Sequence, residues 1–184
     1  RSKAVKGPRN QPGDVRPGEE LDVDALSRWL AQTGVLFEGL LEVRQFRGGH
    51  SNLTYLLRAG ERELVLRRPP FGSNVKTAHD MAREHLILSR LPEVWPKAPR
   101  ALYYCDDDEI LGARFYVMER IDGVILRRQG EPDGTTLASE TMQKLSETLV
   151  DTLVELHAVD YRAAGLSDLG RPEGYAQRQI QGWT

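Results

Sequence analysis

Three strand-like runs joined by short turns constrain the fold of this chain more than any other feature. Glycine-containing turns separate these runs, which span residues 40–46, 52–58 and 64–68. In the second run Leu53, Tyr55 and Leu57 fall on one face, because side chains alternate along a strand. Short turns favour neighbouring antiparallel strands, so the three runs predict an antiparallel meander.

Helical periodicity and turn signals organise the rest of the chain. They predict helices over 22–33, 77–91, 137–157 and 175–183, and further strands over 101–105 and 114–119. Pro92 is expected to end the second helix, and the acidic turn 106–108 to join the last two strands. We therefore predict an α+β protein with a flexible tail or linker (1–20), a first lobe (21–121) and the start of a helical lobe (122–184).

The charge balance and the cysteine content exclude several classes of partner. The 184 residues carry 25 lysines and arginines against 27 aspartates and glutamates, so no strong field favours nucleic acid or an anionic membrane. The single cysteine, Cys105, cannot form an internal disulfide, which fits a reducing cytoplasm. No apolar run reaches the length of about 20 residues that a membrane span needs. We expect a cytoplasmic protein without nucleic-acid or membrane partners.

A carboxylate on the apolar stripe of the second helix is the most informative single residue. Glu84 lies three residues after Met81 and four before Leu88, so it shares the buried face with them. An unpaired charge there is costly, and Arg67 on the third strand is positioned to be its partner. Such a pair could be only a structural salt bridge, or Glu84 could reach solvent at the edge of the stripe.

The glycine turn before the second strand also has two interpretations. Gly48 and Gly49 let backbone N–H groups approach an anion closely, and His50 leads to the side-chain donors Ser51 and Asn52. A hairpin that needs positive φ would use the same glycine pair. Neither the spacing of the histidines nor the acidic turn matches a metal site, so no metal ligand is expected here.

The order of these features resembles the aminoglycoside/choline-type phosphotransferase family, which has a protein-kinase-like fold. The resemblance is carried by GGHSNLTY (48–55), LVLRRPP (64–70), REH (83–85) and FYVME (115–119). The later segments LHAVD (156–160) and RQIQGW (178–183) are similar to segments that precede the catalytic loop in that family. The subgroup fused to acyl-CoA dehydrogenases is the most similar.

The resemblance implies a kinase-like N-lobe, with a five-stranded antiparallel sheet and a helix, followed by the first helices of a truncated C-lobe. The 48–52 turn would cover the triphosphate of ATP or GTP. Arg67 stands where most kinases have a phosphate-binding lysine, and Glu84 would hold it in place. Val65 and Met118 would enclose the adenine ring, whose edge would bond to the backbone of Glu119 and Ile121.

The resemblance also implies that part of the machinery lies outside these residues. Family members carry a His-Gly-Asp-type catalytic loop and a later aspartate that binds Mg²⁺, and neither motif occurs here. We therefore expect the nucleotide-binding part of a kinase that phosphorylates a hydroxyl of a small molecule. The catalytic residues and Mg²⁺ ligands are expected beyond Thr184, so this part alone would be inactive. The alternatives are a non-catalytic kinase-like module of a longer, dehydrogenase-linked protein, and an α+β domain without a nucleotide site.

Overall fold

A five-stranded antiparallel sheet lies at the centre of the fold, in the strand order β1-β2-β3-β5-β4. The computed structural model describes residues 11–35, 39–46, 51–72, 81–124, 137–170 and 173–182. The strands are β1 Glu42–Gln45, β2 Leu53–Ala59, β3 Arg62–Arg68, β4 Ala101–Cys105 and β5 Phe115–Glu119. The helices are α1 Val23–Gln32, α2 Met81–Val94, α3 Asp108–Leu111, α4 Ser139–His157 and α5 Tyr175–Gly182. The α+β class and the five-stranded sheet are confirmed.

Capping interactions set both ends of α1. The Asp22 side chain accepts a hydrogen bond from the Ala25 amide at 2.8 Å, which satisfies one of the free N–H groups of the first turn. After the helix, Gly34 has a φ of 83°, and its amide and that of Val35 bond back to the carbonyls of Ala31 and Leu30. This pair of hydrogen bonds is the Schellman motif, and it ends the helix within one residue of the predicted end at residue 33.

Helices cover both faces of the sheet. Leu26 and Leu30 of α1 are fully buried against the first face, and Trp29 meets Phe115 edge to face at 4.8 Å between ring centroids. Each such buried apolar side chain contributes about 1.5–3 kcal/mol. On the second face α2 packs through Met81, with Leu88 beside it. The second face is the one that carries Arg67.

Helix α2 continues past the proline that was predicted to end it. Pro92 lies in the last turn, and the helix extends to Val94. Pro92 has no N–H to donate to the preceding turn, but the Trp95 amide still bonds to the Leu91 carbonyl at 2.8 Å, so the helix continues. The predicted end at Leu91 is therefore corrected by one turn, while the predicted start at Thr77 lies outside the described residues.

Residues 11–20 lie against β1, which corrects the predicted flexible tail over this range. Gly13 forms an antiparallel bridge with the buried Gln45, with both N···O distances at 2.9 Å. The Gln45 side chain accepts from the Arg16 amide at 2.8 Å, and the Tyr55 hydroxyl donates to the Glu19 carbonyl at 2.8 Å. These polar contacts cover an edge strand that would otherwise expose unpaired backbone groups. Residues 1–10 of the predicted tail lie outside the described residues.

The predicted acidic turn between the last two strands contains the short helix α3. Asp107 caps this helix by accepting the Glu109 amide at 2.9 Å. Gly112, with a φ of 75°, ends it. The acidic run is therefore partly a helix start, where carboxylates compensate free N–H groups.

Helix α4 confirms the long helix predicted over 137–157, but its apolar stripe is exposed. Met142, Leu145, Leu149 and Leu153 are each at least 40% exposed. A Lys97–Glu155 ion pair and a hydrogen bond from Arg90 to the Gly165 carbonyl connect this part to the region of α2. Among the helices that the structure describes, none has both the length and the apolar character that crossing a membrane requires.

Candidate functional site

Strand register places three polar side chains in one row across the second face of the sheet. Thr54 of β2 is opposite Arg67 of β3, and Arg67 is opposite Tyr116 of β5. Because side chains alternate along β3, the next residue, Arg68, points to the first face. The two neighbouring arginines therefore lie on opposite faces, and one guanidinium, that of Arg67, lies beneath α2.

Glu84 of α2 meets this row with both carboxylate oxygens. Oε1 accepts from Asn52 Nδ2 at 2.9 Å, and Oε2 accepts from the Tyr116 hydroxyl at 2.9 Å. Arg67 Nη2 lies 3.6 Å from Oε2, which is an ion pair but longer than a hydrogen bond. The predicted contact between Arg67 and Glu84 is confirmed. The side chains of Arg67 and Glu84 are 31% and 33% exposed, so Glu84 lies at the edge of the apolar stripe of α2.

Two buried polar atoms in this network have no hydrogen-bond partner among the described residues. They are Arg67 Nε, a donor, and Asn52 Oδ1, an acceptor. Buried polar groups of native proteins are satisfied in the large majority of cases, by protein, water or a ligand. A polar ligand or a water at this position could therefore satisfy one donor and one acceptor, and an anion would be attracted by the guanidinium.

Aromatic rings enclose the network on the side of β4 and β5. Tyr116 is fully buried, and this burial raises the pKa of its phenol far above the usual range, so the hydroxyl stays a neutral donor. The His85 ring stacks on Tyr104 at 5.2 Å and meets Tyr116 at 6.3 Å. Tyr116 is thus fixed in direction by its neighbours as well as by Glu84.

We expect His85 to make the stability of this face depend on pH. Burial lowers the pKa of His85 below its ordinary value of 6.5, because desolvation disfavours the imidazolium. Below pH 6.5 the unfolded state therefore binds more protons than the folded state, and the contribution of His85 to stability is lost as the pH falls. Urea unfolding between pH 7.5 and 5.5 should show a smaller loss in His85→Gln. His157→Gln, which changes an exposed histidine, should lose as much stability over this pH range as the unchanged protein. An equal loss of unfolding free energy in the two variants would contradict this expectation.

An apolar row lies next to the polar one on the same face. Val65 is opposite both Leu56 and Met118, and Phe46 completes this cluster. Farther along, Glu119 lies exposed at the end of β5, with its amide bonded to the Arg100 carbonyl at 2.9 Å. Ile121 follows, 61% exposed.

The structure therefore brings together most of the site residues that it describes. Asn52, Arg67 and Glu84 are in contact, and Val65 and Met118 form the adjacent apolar row. Ser51 is exposed two residues before β2, whereas Gly48, Gly49 and His50 lie outside the described residues. One amide hydrogen of Asn52 is used by Glu84 rather than being free for a phosphate. Within the described residues no three His, Cys, Asp or Glu side chains come together to hold a metal ion.

Tyr116 is the site residue that the sequence did not indicate. Its hydroxyl is one of the two donors on Glu84, yet FYVME reads as an ordinary apolar strand. The only available signal was the polar hydroxyl at an interior strand position on the face of Met118. Its position opposite Arg67 depends on β5 pairing with β3, which is not a local property of the sequence.

Comparison with known proteins supports the resemblance of the motifs. The sequence pattern of the phosphotransferase enzyme family matches residues 42–184. A solved structure from Ralstonia eutropha, provisionally assigned as an aminoglycoside phosphotransferase, superposes with a TM-score of 0.70 and 30% identity. That match covers 89% of this chain and 46% of the other chain.

Several similar proteins are acyl-CoA dehydrogenase family members. Member 11 of Rattus norvegicus is 36% identical over 93% of this chain and 22% of its own length. Member 10 of Mus musculus is 33% identical over 96% of this chain and 16% of its own length. A probable acyl-CoA dehydrogenase of Arabidopsis thaliana is 31% identical over 92% of this chain and 21% of its own length. The chain thus spans about a fifth of the length of these relatives, which fits the dehydrogenase-fused subgroup.

Proposed function

This chain belongs to the phosphotransferase enzyme family, and we propose that it forms the nucleotide-binding part of a kinase that transfers phosphate from ATP or GTP to a hydroxyl of a small molecule. The observation that carries the proposal is the contact between Arg67 and Glu84 on the sheet face beneath α2. This contact leaves the buried Arg67 Nε without a partner among the described residues.

The chemistry of the polar row supports a phosphate ligand. A guanidinium presents several N–H donors in one plane, so Arg67 can keep Nη2 near Glu84 while other N–H groups bond to phosphate oxygens. Phosphoryl transfer depends mainly on positioning and charge stabilisation rather than on covalent participation of the protein. In the proposal this chain binds and orients the nucleotide, and the residues that activate the acceptor and hold Mg²⁺ lie beyond Thr184.

The apolar row supports a base next to the phosphates. Val65 and Met118 are cross-strand neighbours, and each lies two residues from a member of the polar row, Arg67 or Tyr116. A planar base that packs against Val65 and Met118 would have its phosphates on the side of Arg67 and Tyr116. The exposed Glu119 and Ile121 beyond β5 are the proposed backbone contacts for the edge of the base.

We expect Arg67→Ala to weaken Mg-ATP binding about tenfold, or about 1.4 kcal/mol. The physical reason is the loss of a charge-assisted contact to phosphate. Calorimetric titration of the complete protein with Mg-ATP and Mg-GTP measures the effect. Arg28→Ala is the matched control, because Arg28 is an exposed arginine of α1, which covers the opposite face of the sheet, and this variant should bind nucleotide normally. Equal affinity of Arg67→Ala and the unchanged protein would remove the nucleotide-binding assignment.

A non-catalytic kinase-like module is the second candidate, and the dehydrogenase relatives favour it. In those proteins this region accounts for 22% of the length or less, so it is combined with other parts. Incubation of the complete protein with radiolabelled ATP, Mg²⁺ and a panel of hydroxylated acceptors distinguishes the two candidates. Labelled product supports the kinase, whereas nucleotide binding without transfer supports the module.

A further inference from the structure

We propose that Tyr116 and Asn52, rather than Arg67, fix Glu84 on the sheet, so that Arg67 is only loosely held by the carboxylate and can turn toward a phosphate. Tyr116 is then a positioning residue that acts through Glu84 and does not itself contact nucleotide. The part of this inference that concerns phosphate rests on the proposed function, whereas the anchoring of Glu84 stands on the contacts alone.

The distances separate the two kinds of contact. Each oxygen of Glu84 accepts one hydrogen bond of 2.9 Å, from Asn52 and from Tyr116. The nearest Arg67 nitrogen is 3.6 Å away, so the ion pair has no short hydrogen bond with this carboxylate. Hydrogen bonds to a charged group contribute more to stability than bonds between neutral groups. The direction of the carboxylate is therefore determined by the two neutral donors.

One donor lies in β5 and the other directly before β2, and both side chains are buried. Tyr116 is fully buried in the middle of β5, and Asn52, which is 4% exposed, directly precedes β2. Glu84 thus connects α2 both to β5 and to the residue that leads into β2. A carboxylate bonded at both oxygens cannot rotate without breaking one of these bonds.

This arrangement makes α2 independent of Arg67 for its attachment. In a simple ion-pair site the cation and the carboxylate position each other, so removing either one releases the helix. Here the loss of Arg67 leaves both short bonds of Glu84 intact. Arg67 can then turn its other N–H groups toward an incoming phosphate while α2 stays in place.

The chain offers a matched control for the loss of the Tyr116 hydroxyl. Tyr55 is also fully buried in the same sheet and also donates one hydrogen bond, of 2.8 Å, but on the opposite face to the Glu19 carbonyl. Tyr55→Phe therefore removes an equivalent buried hydroxyl without touching Glu84. Any effect that Tyr116→Phe has beyond Tyr55→Phe reports on the Glu84 network.

The first measurement is hydrogen exchange of α2 in the complete protein, without nucleotide. Exchange of peptides from Met81–Val94 should be about fivefold faster in Tyr116→Phe and in Asn52→Ala. It should be unchanged in Tyr55→Phe and in Arg67→Ala. Faster exchange in Arg67→Ala that equals that in Tyr116→Phe would overturn the proposal, because Arg67 would then be an anchor of similar strength.

The second measurement is a double-mutant cycle of Mg-ATP affinity with Tyr116→Phe and Arg67→Ala. Tyr116→Phe should weaken binding about fivefold when Arg67 is present and should have no effect when Arg67 is alanine. A merely structural role would give the same loss in both backgrounds and would overturn the positioning role. If the unchanged protein binds no nucleotide, the proposed function fails and the phosphate part fails with it. The hydrogen exchange of α2 still decides in that case whether Tyr116 and Asn52 anchor Glu84.

Discussion

Replacement of Glu84 by alanine is expected to lower the free energy that holds α2 on the sheet by about 3 kcal/mol. The substitution leaves the Tyr116 hydroxyl and the Asn52 amide, both on buried side chains, without their acceptor. Each unsatisfied buried donor costs about 1–3 kcal/mol. The charge of Arg67 also loses its paired carboxylate.

Hydrogen exchange of α2 and of β5 measures this loss, because it reports the local opening of each element separately. Glu42→Ala is the control, because Glu42 is a half-exposed carboxylate of β1 whose ion pairs with Arg44 and Arg58 should contribute little. Glu84→Gln should lie between the two, because its side chain keeps one acceptor oxygen. Protection in Glu84→Ala that matches Glu42→Ala would show that Glu84 is not an anchor.

The Arg67–Glu84 pair was predictable because each half is a local property of the sequence. Alternation along LVLRR separates Arg67 from Arg68, and helical spacing places Glu84 with Met81 and Leu88. The helix packs its apolar face on the sheet, and this packing brings the two charges together. The sequence alone could not decide whether the pair binds a ligand, and it could not reveal how long the contact is.

Tyr116 and the N-terminal segment were missed because their partners are distant and polar. The pairing of β5 with β3 places Tyr116 beside Arg67, and it joins residues about fifty positions apart. Gly13 is joined to Gln45 by backbone atoms, which leave no pattern of apolar side chains. Composition therefore suggested a tail where the chain covers a sheet edge.

The exposed stripe of α4 shows a different limit of sequence patterns. Spacing of Met142, Leu145 and Leu149 correctly predicted a helix, because helix formation follows local periodicity. The same spacing indicates a face to be buried, but burial needs a partner. Within the described residues these side chains remain largely exposed.

Arg68→Ala is expected to destabilise the sheet by about 3 kcal/mol through lost packing and unsatisfied carbonyls. Arg68 is 2% exposed, and its guanidinium donates to the Leu111 carbonyl at 2.9 Å and to the Pro69 carbonyl at 3.1 Å. It also lies 3.6 Å from the centre of the Phe71 ring. The bond to Leu111 satisfies the last carbonyl of α3, so the side chain joins β3 to that short helix.

Arg68→Met separates the packing of this side chain from its charge. Burial lowers the pKa of Arg68, which shows that desolvation disfavours the charged form. A methionine of similar reach fills much of the space and removes that cost, so we expect it to lose only about 1 kcal/mol. Hydrogen exchange of β3 and β5 in the two variants compares these effects. An equal loss in both would mean that the hydrogen bonds to Leu111 and Pro69, rather than the volume of the side chain, hold this part of the sheet.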